Sequence, residues 1–300
     1  MTMSNLEDTF VSWSNPPGQT EKDRMDNAET AIKKAIASNS RLASMDITVF
    51  SQGSYSANTC VRQDSDVDVC VRLNSTFFTR YPEGKKDSDY GNSAGSISFS
   101  DYKDLIHQAL NDYFETKYVT RGNKAFDIHS NSYRVDADVV PAFAYRYYYG
   151  NSEEDYTNPV GIAFDTDNGK RIKNWPDQTY SNGVDKNNAT SRRYKKVIRI
   201  LKNLRNKMQD DKIAAANDIA SFLIESLVWN TPNKGFGHDS LTDDVRYVLA
   251  HTFNETISDE KCSEWGEVNE LKYLFNRLQP WTREQAHSFL SAAWDYIGFE

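Results

Sequence analysis

The chain has few cysteines, no excess of positive charge and no long apolar run. Its three cysteines, Cys60, Cys70 and Cys262, form no C-x-x-C pair, so neither a zinc site nor a disulfide framework is predicted. The net charge of −8 over 300 residues argues against long nucleic acid as a partner, because proteins that bind long nucleic acid usually present a basic surface. No apolar run reaches membrane-spanning length, and no cationic leader precedes an apolar segment. We therefore expect a cytoplasmic protein that does not bind membranes.

A glycine–serine turn is the first feature that points to chemistry. The stretch Gln52-Gly53-Ser54-Tyr55 follows a predicted strand over 46–51. Gly53 lacks a Cβ atom, so its backbone can approach an anion closely. Ser54 can add a hydroxyl to the backbone N–H groups of the turn. We expect this turn, which begins at Gln52, to hold phosphate groups.

Two acidic residues alternate with valine shortly after this turn. Side chains alternate between the two faces of a strand, so Asp66 and Asp68 point one way while Val67 and Val69 point the other. Two neighbouring carboxylates repel each other unless a proton or a cation neutralises them. A hard divalent cation with oxygen ligands resolves that conflict, and magnesium is the expected ion.

A second acidic strand supplies a further carboxylate. Residues 135–141 again alternate polar with apolar, and both Asp136 and Asp138 have the parity to join the first pair. Three carboxylates around one or two metal ions can activate a hydroxyl nucleophile and stabilise a pyrophosphate leaving group. The alternative for a single D-x-D pattern is a solvated strand edge or a turn, and we interpret Asp64 as a turn residue. The glycine–serine turn and the third acid together favour the metal site.

These motifs resemble the signature of the polymerase-β-type nucleotidyltransferases, a Gly-Ser pair followed by D-x-D and a third acid. More narrowly, the chain resembles the bacterial cGAS/DncV-like nucleotidyltransferases, and the order and spacing of its motifs are most similar to those of clade E. The resemblance covers most of the chain. The matching segments are 52–55, 59–69, 137–140, Asn174-Trp175-Pro176, 180–183, Lys186-Asn187, Tyr194-Lys195, 198–203 and 221–225.

The resemblance implies an α+β fold in two parts. Residues 1–190 are expected to form a polymerase-β-like nucleotidyltransferase core, a mixed β-sheet with helices and a long N-terminal spine helix. Residues 191–300 are expected to form a helical lobe that packs against the core and completes the nucleotide-binding cleft. Periodicity and capping residues predict the elements of both parts. Helices are predicted over 21–38, 102–114, 219–229, 241–257, 268–278 and 281–296 (with Thr282 as N-cap), together with a basic helix from Ser191 onward. Strands are predicted over 46–51, 67–73 and 135–141, and a short strand pair over 119–127.

The resemblance also assigns the metal ligands. On the second acidic strand the family motif places the acid directly before Val-Val, which favours Asp138 over Asp136. Asp66, Asp68 and Asp138 would then be the catalytic residues and the ligands of two Mg2+ ions, with Mn2+ as a substitute. Gly53 and Ser54 would hold the β- and γ-phosphates of the donor nucleotide.

Other nucleotide contacts are implied outside the acidic strands. At least one of Lys195 and Lys202 would reach the triphosphate, and Ser221 would donate a hydrogen bond to it. The alternatives are a solvated basic face for the lysines, which belong to a run of eight cations between 192 and 207, and an ordinary polar helix residue for Ser221. Asn174 offers a donor and an acceptor and can read O4 and N3–H of uracil; its alternative is a turn residue.

The predicted activity is the condensation of two nucleoside triphosphates, with UTP and ATP expected, into a cyclic dinucleotide. The resemblance implies bacterial anti-phage (CBASS) signalling, in which the product activates a separate effector protein, and a monomeric enzyme. Two alternatives stay open from the sequence: a linear nucleotidyltransferase that acts on RNA or a protein acceptor, and a catalytically silent binding module with the same fold. The acidic charge argues against the first, and the intact set of acids argues against the second.

Overall fold

The computed structural model describes residues 3–61 and 66–299. The interpretation of Asp64 as a turn residue therefore lies outside the described residues. Within the described ranges the chain forms seven β-strands and ten α-helices, and none of these helices is long and apolar enough to span a membrane. The predicted fold class, a mixed sheet with helices followed by a helical C-terminal part, is confirmed.

The chain divides into two compact units, each built from separate stretches of sequence. We call them the sheet unit and the helical unit. The sheet unit consists of residues 18–56 and 65–177, and the helical unit of residues 1–17, 57–64 and 178–300.

A seven-stranded mixed sheet organises the sheet unit. Its strands are β1 (Ile47–Gln52), β2 (Val67–Arg80), β3 (Val119–Arg121), β4 (Phe126–Ile128), β5 (Ala137–Tyr147), β6 (Gly161–Asp165) and β7 (Arg171–Asn174). Strand β5 pairs in parallel with β2 along one edge. Its other edge pairs antiparallel with β4 near its start and with β6 near its end. The outer strands β1, β3 and β7 each add to this arrangement as antiparallel neighbours.

Two long helices pack together beside this sheet. They are α2 (Gln19–Ser38) and α5 (Phe99–Phe114), and two short helices, α3 (Ser40–Ala43) and α4 (Gly53–Ser56), flank β1. In α2 the residues at helical spacing are buried as predicted, among them Met25, Ile32 and Ala35. Complete burial of a side chain such as Ile32 stabilises the fold by roughly 1.5–3 kcal/mol. The predicted spine helix is therefore present as α2.

The helical unit is built around one amphipathic helix. Its helices are α1 (Met3–Trp13), α6 (Pro176–Ala189, whose first two residues belong to the sheet unit), α7 (Tyr194–Asp210), α8 (Ser221–Trp229), α9 (Leu241–Glu255) and α10 (Arg283–Ile297). The predicted apolar stripe of α7, including Val197, Leu201 and Leu204, is fully buried. Thr282 caps α10 as predicted, in a capping box with Gln285.

The helix predicted over 268–278 is wrong. This stretch forms turns and folds back on the chain before it, because the N–H group of Leu274 donates to the carbonyl of Trp265 (2.7 Å). The side chain of Asn269 accepts a hydrogen bond from the N–H group of Leu271 (2.8 Å). These backbone groups are therefore not available for helical hydrogen bonds, and apolar spacing alone did not reveal that competition.

Two other stretches contain elements that the sequence analysis did not predict. Residues 3–13 form α1, in which Leu6 and Phe10 are buried. Residues 161–189 contain β6, β7 and α6. Their many Asn, Asp and Gly residues concealed short elements that tertiary pairing stabilises.

Candidate active site

The glycine–serine turn forms helix α4 directly after β1. Gly53 has a φ of +67°, a conformation that residues with a side chain rarely adopt. A Cβ atom at this position would lie 2.2 Å from Oδ2 of Asp68. The neighbouring Gln52 pairs with Asp68 across β1 and β2, and Ser54 follows, partly buried, in the same helical turn. The turn can lie this close to the acidic strand because residue 53 is glycine.

A hydroxyl group fixes the same turn to the spine helix. Tyr55 donates a hydrogen bond from its hydroxyl to Oδ1 of Asp26 on α2. Both residues belong to the sheet unit. The position of α4 is therefore set by β1, which it follows, by the hydrogen bond to α2 and by the close approach of Gly53 to Asp68.

Four carboxylates gather where the acidic strands begin. Asp68 on β2 is paired with Asp138 on β5, and Asp138 is paired on its other side with Asp127 on β4. Directly paired residues project from the same face of a sheet, so these three side chains share one face. Asp66 immediately precedes β2. The structure thus places Asp138 beside the first acidic pair, as the sequence led us to expect.

Asp127 was not among the predicted site residues. The sequence analysis placed it at the end of a short strand pair, and the structure confirms that pair as β3 and β4. The signal for its role is the hairpin itself, because a hairpin that returns to the edge of β5 brings its own acid opposite Asp138.

Asp136, the other candidate on the second acidic strand, has a different position. It lies just before β5, and its Oδ1 accepts a hydrogen bond from the N–H group of Ser130 (2.7 Å). Its carboxylate therefore closes the loop that leads into the strand, whereas Asp138 faces Asp68.

The crowding of negative charge changes the acidity of Asp138. Burial, then the negative charge of Asp127 and a hydrogen bond to it, raises the pKa of Asp138 to about 6. Asp66 and Asp136 act in the same direction. Carboxylates this close need a shared proton or a cation to relieve their repulsion. Their hard oxygen donors are those that Mg2+ prefers, so the residues fit a magnesium site in type and in charge.

The positions of these side chains do not enclose an ion. Across residues 3–61 and 66–299, no group of three or more His, Cys, Asp or Glu side chains is arranged so that it could hold a metal ion. The metal ligands therefore stay a prediction.

The sheet face that carries the carboxylates extends to Asn174. Along β5, Asp138 and Ala144 are an even number of residues apart, so their side chains point the same way. Ala144 pairs with Ile162 on β6, and Ile162 pairs with Asn174 on β7. Asn174 thus projects from the same face of the sheet as Asp138.

A cation that the sequence analysis missed lies on this face as well. Arg72 follows Asp68 by four residues on β2 and shares its parity. Its Nε donates to Oδ1 of Asn74 (2.8 Å), and its Nη1 lies 3.5 Å from Oδ2 of Asp177. The guanidinium group stacks 5.3 Å from the ring centre of Phe50. The alternation that identified the acids also places Arg72 on their face.

Lys202, one of the two predicted triphosphate lysines, is fully buried within the helical unit. Its Nζ donates to Oε1 of Glu225 (2.6 Å) and to the carbonyl oxygen of Thr59 (3.0 Å). The hydroxyl of Thr59 donates to the same Oε1 atom (2.7 Å). The structure therefore directs this ammonium group to a buried carboxylate.

Lys195 and Ser221, also in the helical unit, differ from Lys202 in their surroundings. Lys195 lies with its Nζ 5.8 Å from the ring centre of Tyr180 and forms no ion pair with a described residue. Burial lowers the pKa of Lys195. The hydroxyl of Ser221 accepts a hydrogen bond from Nη2 of Arg205 (3.1 Å).

Much of the positive charge on α7 is used inside the helical unit. Arg199 donates to the carbonyl oxygens of Ser14 (2.6 Å) and Asn58 (2.5 Å). Arg205 donates to the carbonyl oxygen of Ile219 (2.6 Å). Part of the cationic run between 192 and 207 therefore binds the protein's own backbone.

Comparisons with known proteins identify the family of the chain. Residues 181–298 match the sequence model of the cGAS/DncV-like nucleotidyltransferase C-terminal helical domain. The chain is 43% identical over 293 residues to the cyclic dipyrimidine nucleotide synthase CdnE of Legionella pneumophila, with 97% of each chain covered. It is 35% identical over 305 residues to the cyclic dipurine nucleotide synthase of Elizabethkingia meningoseptica, covering 99% of this chain and 100% of that relative.

A solved structure extends the likeness from sequence to fold. The CdnE c-UMP-AMP synthase of Rhodothermus marinus, solved with Apcpp and Upnpp, aligns with a TM-score of 0.86 at 29% identity, covering 98% of this chain and 97% of that one. The resemblance inferred from the motifs is confirmed. The chain belongs to the cGAS/DncV-like nucleotidyltransferases, a family of enzymes, and within that family to clade E.

Proposed function

We propose that this chain condenses two nucleoside triphosphates into a cyclic dinucleotide and releases pyrophosphate twice. The pairing of Asp68 with Asp138, with Gly53 in close approach to Asp68, carries the proposal. Phosphoryl transfer depends on positioning and on stabilisation of charge, and this end of the sheet combines carboxylates with a turn suited to phosphates. The full-length similarity to cyclic nucleotide synthases supports it.

The carboxylates bind the metal ions, and the glycine–serine turn binds the phosphates. Asp66, Asp68 and Asp138 would hold two Mg2+ ions, for which Mn2+ can substitute. Bound ions lower the pKa of an attacking hydroxyl and neutralise charge on the leaving pyrophosphate. Gly53 lets the backbone approach the β- and γ-phosphates, and Ser54 donates its hydroxyl to them. The chain thereby orients the phosphate tail of the donor nucleotide against its acids.

Further residues support these roles. Gln52, paired with Asp68, fixes the start of the phosphate turn, and Asp127 adds negative charge beside Asp138. For the triphosphate we assign Lys195 ahead of Lys202, because Lys202 is bound to Glu225. Ser221 stays the proposed hydroxyl donor to the same group.

At least one substrate is a pyrimidine nucleotide, with UTP and ATP as the expected pair. Asn174 lies on the carboxylate face and offers the donor and acceptor that uracil requires. The relative from Legionella is a dipyrimidine synthase, whereas the one from Elizabethkingia is a dipurine synthase. Overall similarity therefore does not decide base choice, and the proposal depends on the local chemistry of Asn174.

We place the product in bacterial anti-phage (CBASS) signalling, where it activates a separate effector protein. The net charge of −8 favours small nucleotides over long nucleic acid as ligands. We expect the enzyme to act as a cytoplasmic monomer.

The test is product analysis with the four labelled nucleoside triphosphates, with and without Mg2+ and with and without RNA. The expected result is a phosphatase-resistant compound that needs Mg2+ but no RNA and has the mass of a cyclic dinucleotide containing uridine. Mass spectrometry identifies the bases, and chelation with EDTA should abolish the product.

Variants separate this activity from its rivals. Asp66→Asn and Asp68→Asn should abolish product, whereas Asp112→Asn, which alters an exposed acid on α5, should not. Nucleotides added to RNA or to a protein would favour a linear transferase. Binding of nucleotides without turnover under any of these conditions would favour a silent module.

A further inference from the structure

A pocket of about 440 Å³ opens on the sheet unit between α2, the C-terminal end of α5 and the segment 131–134 that leads toward β5. This volume suits a small molecule. Lys34 and Arg134 contribute positive charge to its lining, and Tyr113, Phe114, Tyr118 and Tyr133 contribute aromatic rings. None of these residues belongs to the proposed catalytic site.

The positive charge in the pocket lacks a matching acid. The guanidinium of Arg134 stacks 4.8 Å from the ring centre of Phe114, and its Nη2 donates to the carbonyl oxygen of His129 (3.1 Å). Its Nε is buried without a hydrogen-bond partner in the described chain. No described carboxylate forms an ion pair with Arg134 or Lys34. A half-buried cation without an ion-pair partner is costly unless an anion compensates its charge.

Two of the rings are unusually exposed. Tyr133 is 66% exposed and Tyr113 is 42% exposed. Large aromatic surfaces at the rim of a pocket gain free energy when a planar group covers them. The pocket thus combines uncompensated positive charge with open aromatic surface.

Hydrogen bonds from α2 hold the segment 131–134, which forms one wall of the pocket, in place. Arg24 donates to the carbonyl oxygens of Asn131 (2.9 Å) and Arg134 (3.1 Å). Asn27 donates to the carbonyl oxygen of Tyr133 (3.0 Å). The wall is therefore built into the fold by α2, and a ligand need not order it on binding.

We propose that this pocket binds a small planar anion, an aromatic ring that carries a carboxylate or a phosphate. The acidic group lies against Arg134 and Lys34, and the ring covers Tyr133. The one acid in the lining, Glu115, is exposed and paired with Lys117 (3.0 Å), so it weakens the anion site without cancelling it. The proposal does not depend on the synthase activity.

The test is a binding titration on the full chain without divalent metal, in which NMR or calorimetry measures the affinity. The probes are benzoate and phenyl phosphate, with neutral benzamide and non-aromatic cyclohexanecarboxylate for comparison. Benzoate or phenyl phosphate should bind at least about 5-fold more tightly than either comparison compound, because only these two probes combine negative charge with an aromatic ring. Whichever of the two binds more tightly identifies the acidic group.

Variants locate the binding. Arg134→Gln should weaken binding of the aromatic anions by about 10-fold or more, and Lys34→Gln by about 3-fold, because each removes one charge. Glu115→Gln should strengthen binding by about 2-fold. Lys33→Gln, which alters the adjacent residue on α2 but not the pocket, should leave affinity unchanged, and so should Asp68→Asn.

Three outcomes would overturn the proposal. These are equal affinity for benzamide and benzoate, equal affinity of the Lys34 and Glu115 variants and the unchanged chain, and no binding of either anion up to its solubility limit. If Arg134→Gln fails to fold, the opposite shifts expected for Lys34→Gln and Glu115→Gln still decide, because both residues are exposed.

Discussion

Lys202 and Glu225 form a buried ion pair, 2.6 Å between Nζ and Oε1, that the hydroxyl and the carbonyl of Thr59 complete. Each charge is satisfied by the other and by Thr59. The pair is therefore stable only as a set, since loss of one member leaves the other buried without a partner.

Removal of the lysine alone should destabilise the helical unit strongly. We expect Lys202→Met to lower the free energy of unfolding by about 3–5 kcal/mol, and the double variant Lys202→Met/Glu225→Met to recover much of that loss. Urea unfolding measures both. Lys207→Met, which breaks an exposed pair with Asp211, should leave the free energy of unfolding almost unchanged, because solvent screens this pair. Additive losses in the double variant would contradict this interpretation.

Gly53→Ala should separate the effect of backbone strain at positive φ from the effect of a steric clash with Asp68. The new methyl group meets Oδ2 of Asp68, so this acid must move, and a displacement of this order reduces product formation by about 100-fold. Gly169→Ala is the matched control, because it also has positive φ (+81°) but open space around its Cβ position. Both variants should lose about 1 kcal/mol of stability. Unfolding and product assays together test the difference, and equal activities would refute it.

Asn174→Ala should change base preference. Loss of a donor and an acceptor should reduce kcat/KM for UTP by about 10–100-fold, with a smaller effect on ATP. Lys173→Met is the control, because Lys173 lies on the same strand but on the opposite face, near the ring of Tyr145. The measurement is steady-state kinetics with each nucleotide varied in turn. A similar loss for both nucleotides would mean that Asn174 supports the structure of β7 and does not recognise the base.

Lys186 should make stability depend on pH. Its Nζ donates to the carbonyl oxygen of Thr231 (2.7 Å) and lies 5.0 Å from the ring centre of Trp229. Burial lowers the pKa of Lys186 to about 8, below the value of about 10.4 in the unfolded chain. Between these values the unfolded state binds more protons, so the free energy of unfolding rises with pH across this window and is constant below it.

Comparison with Lys186→Met isolates that contribution. The difference in unfolding free energy between the two proteins should move in favour of Lys186 by about 1 kcal/mol or more from pH 7.5 to pH 10. Lys124→Met, at an exposed loop position, should show no such change. Parallel pH profiles for the unchanged chain and Lys186→Met would refute the assignment.

The acidic strands could be predicted because their information is local. Period-two alternation places Asp66 and Asp68 together, and on the second strand it leaves Asp136 and Asp138 as candidates, between which the family motif selects Asp138. A glycine between a strand and a serine marks the turn. These signals need no knowledge of distant partners.

Asp127 and Lys202 could not be assigned in this way. Asp127 gains its position from the pairing of the three-residue strand β4 with β5. The sequence of so short a strand does not predict which strand it pairs with. Lys202 looked like one member of a basic face, because the sequence does not reveal that Glu225 is buried beside it. In both cases the partner lies on a different strand or helix, and the contact between the two elements decides the role.

Strand β5 imposes an order of events on the nascent protein. It is the only neighbour of β2 on that edge in the described sheet, and it also carries Asp138. While residues 1–136 alone have emerged from the ribosome, the turn and the first two acids exist without the strand that completes their surroundings. Catalytic competence therefore cannot precede synthesis of β5, so chains released before this strand is complete should form no product.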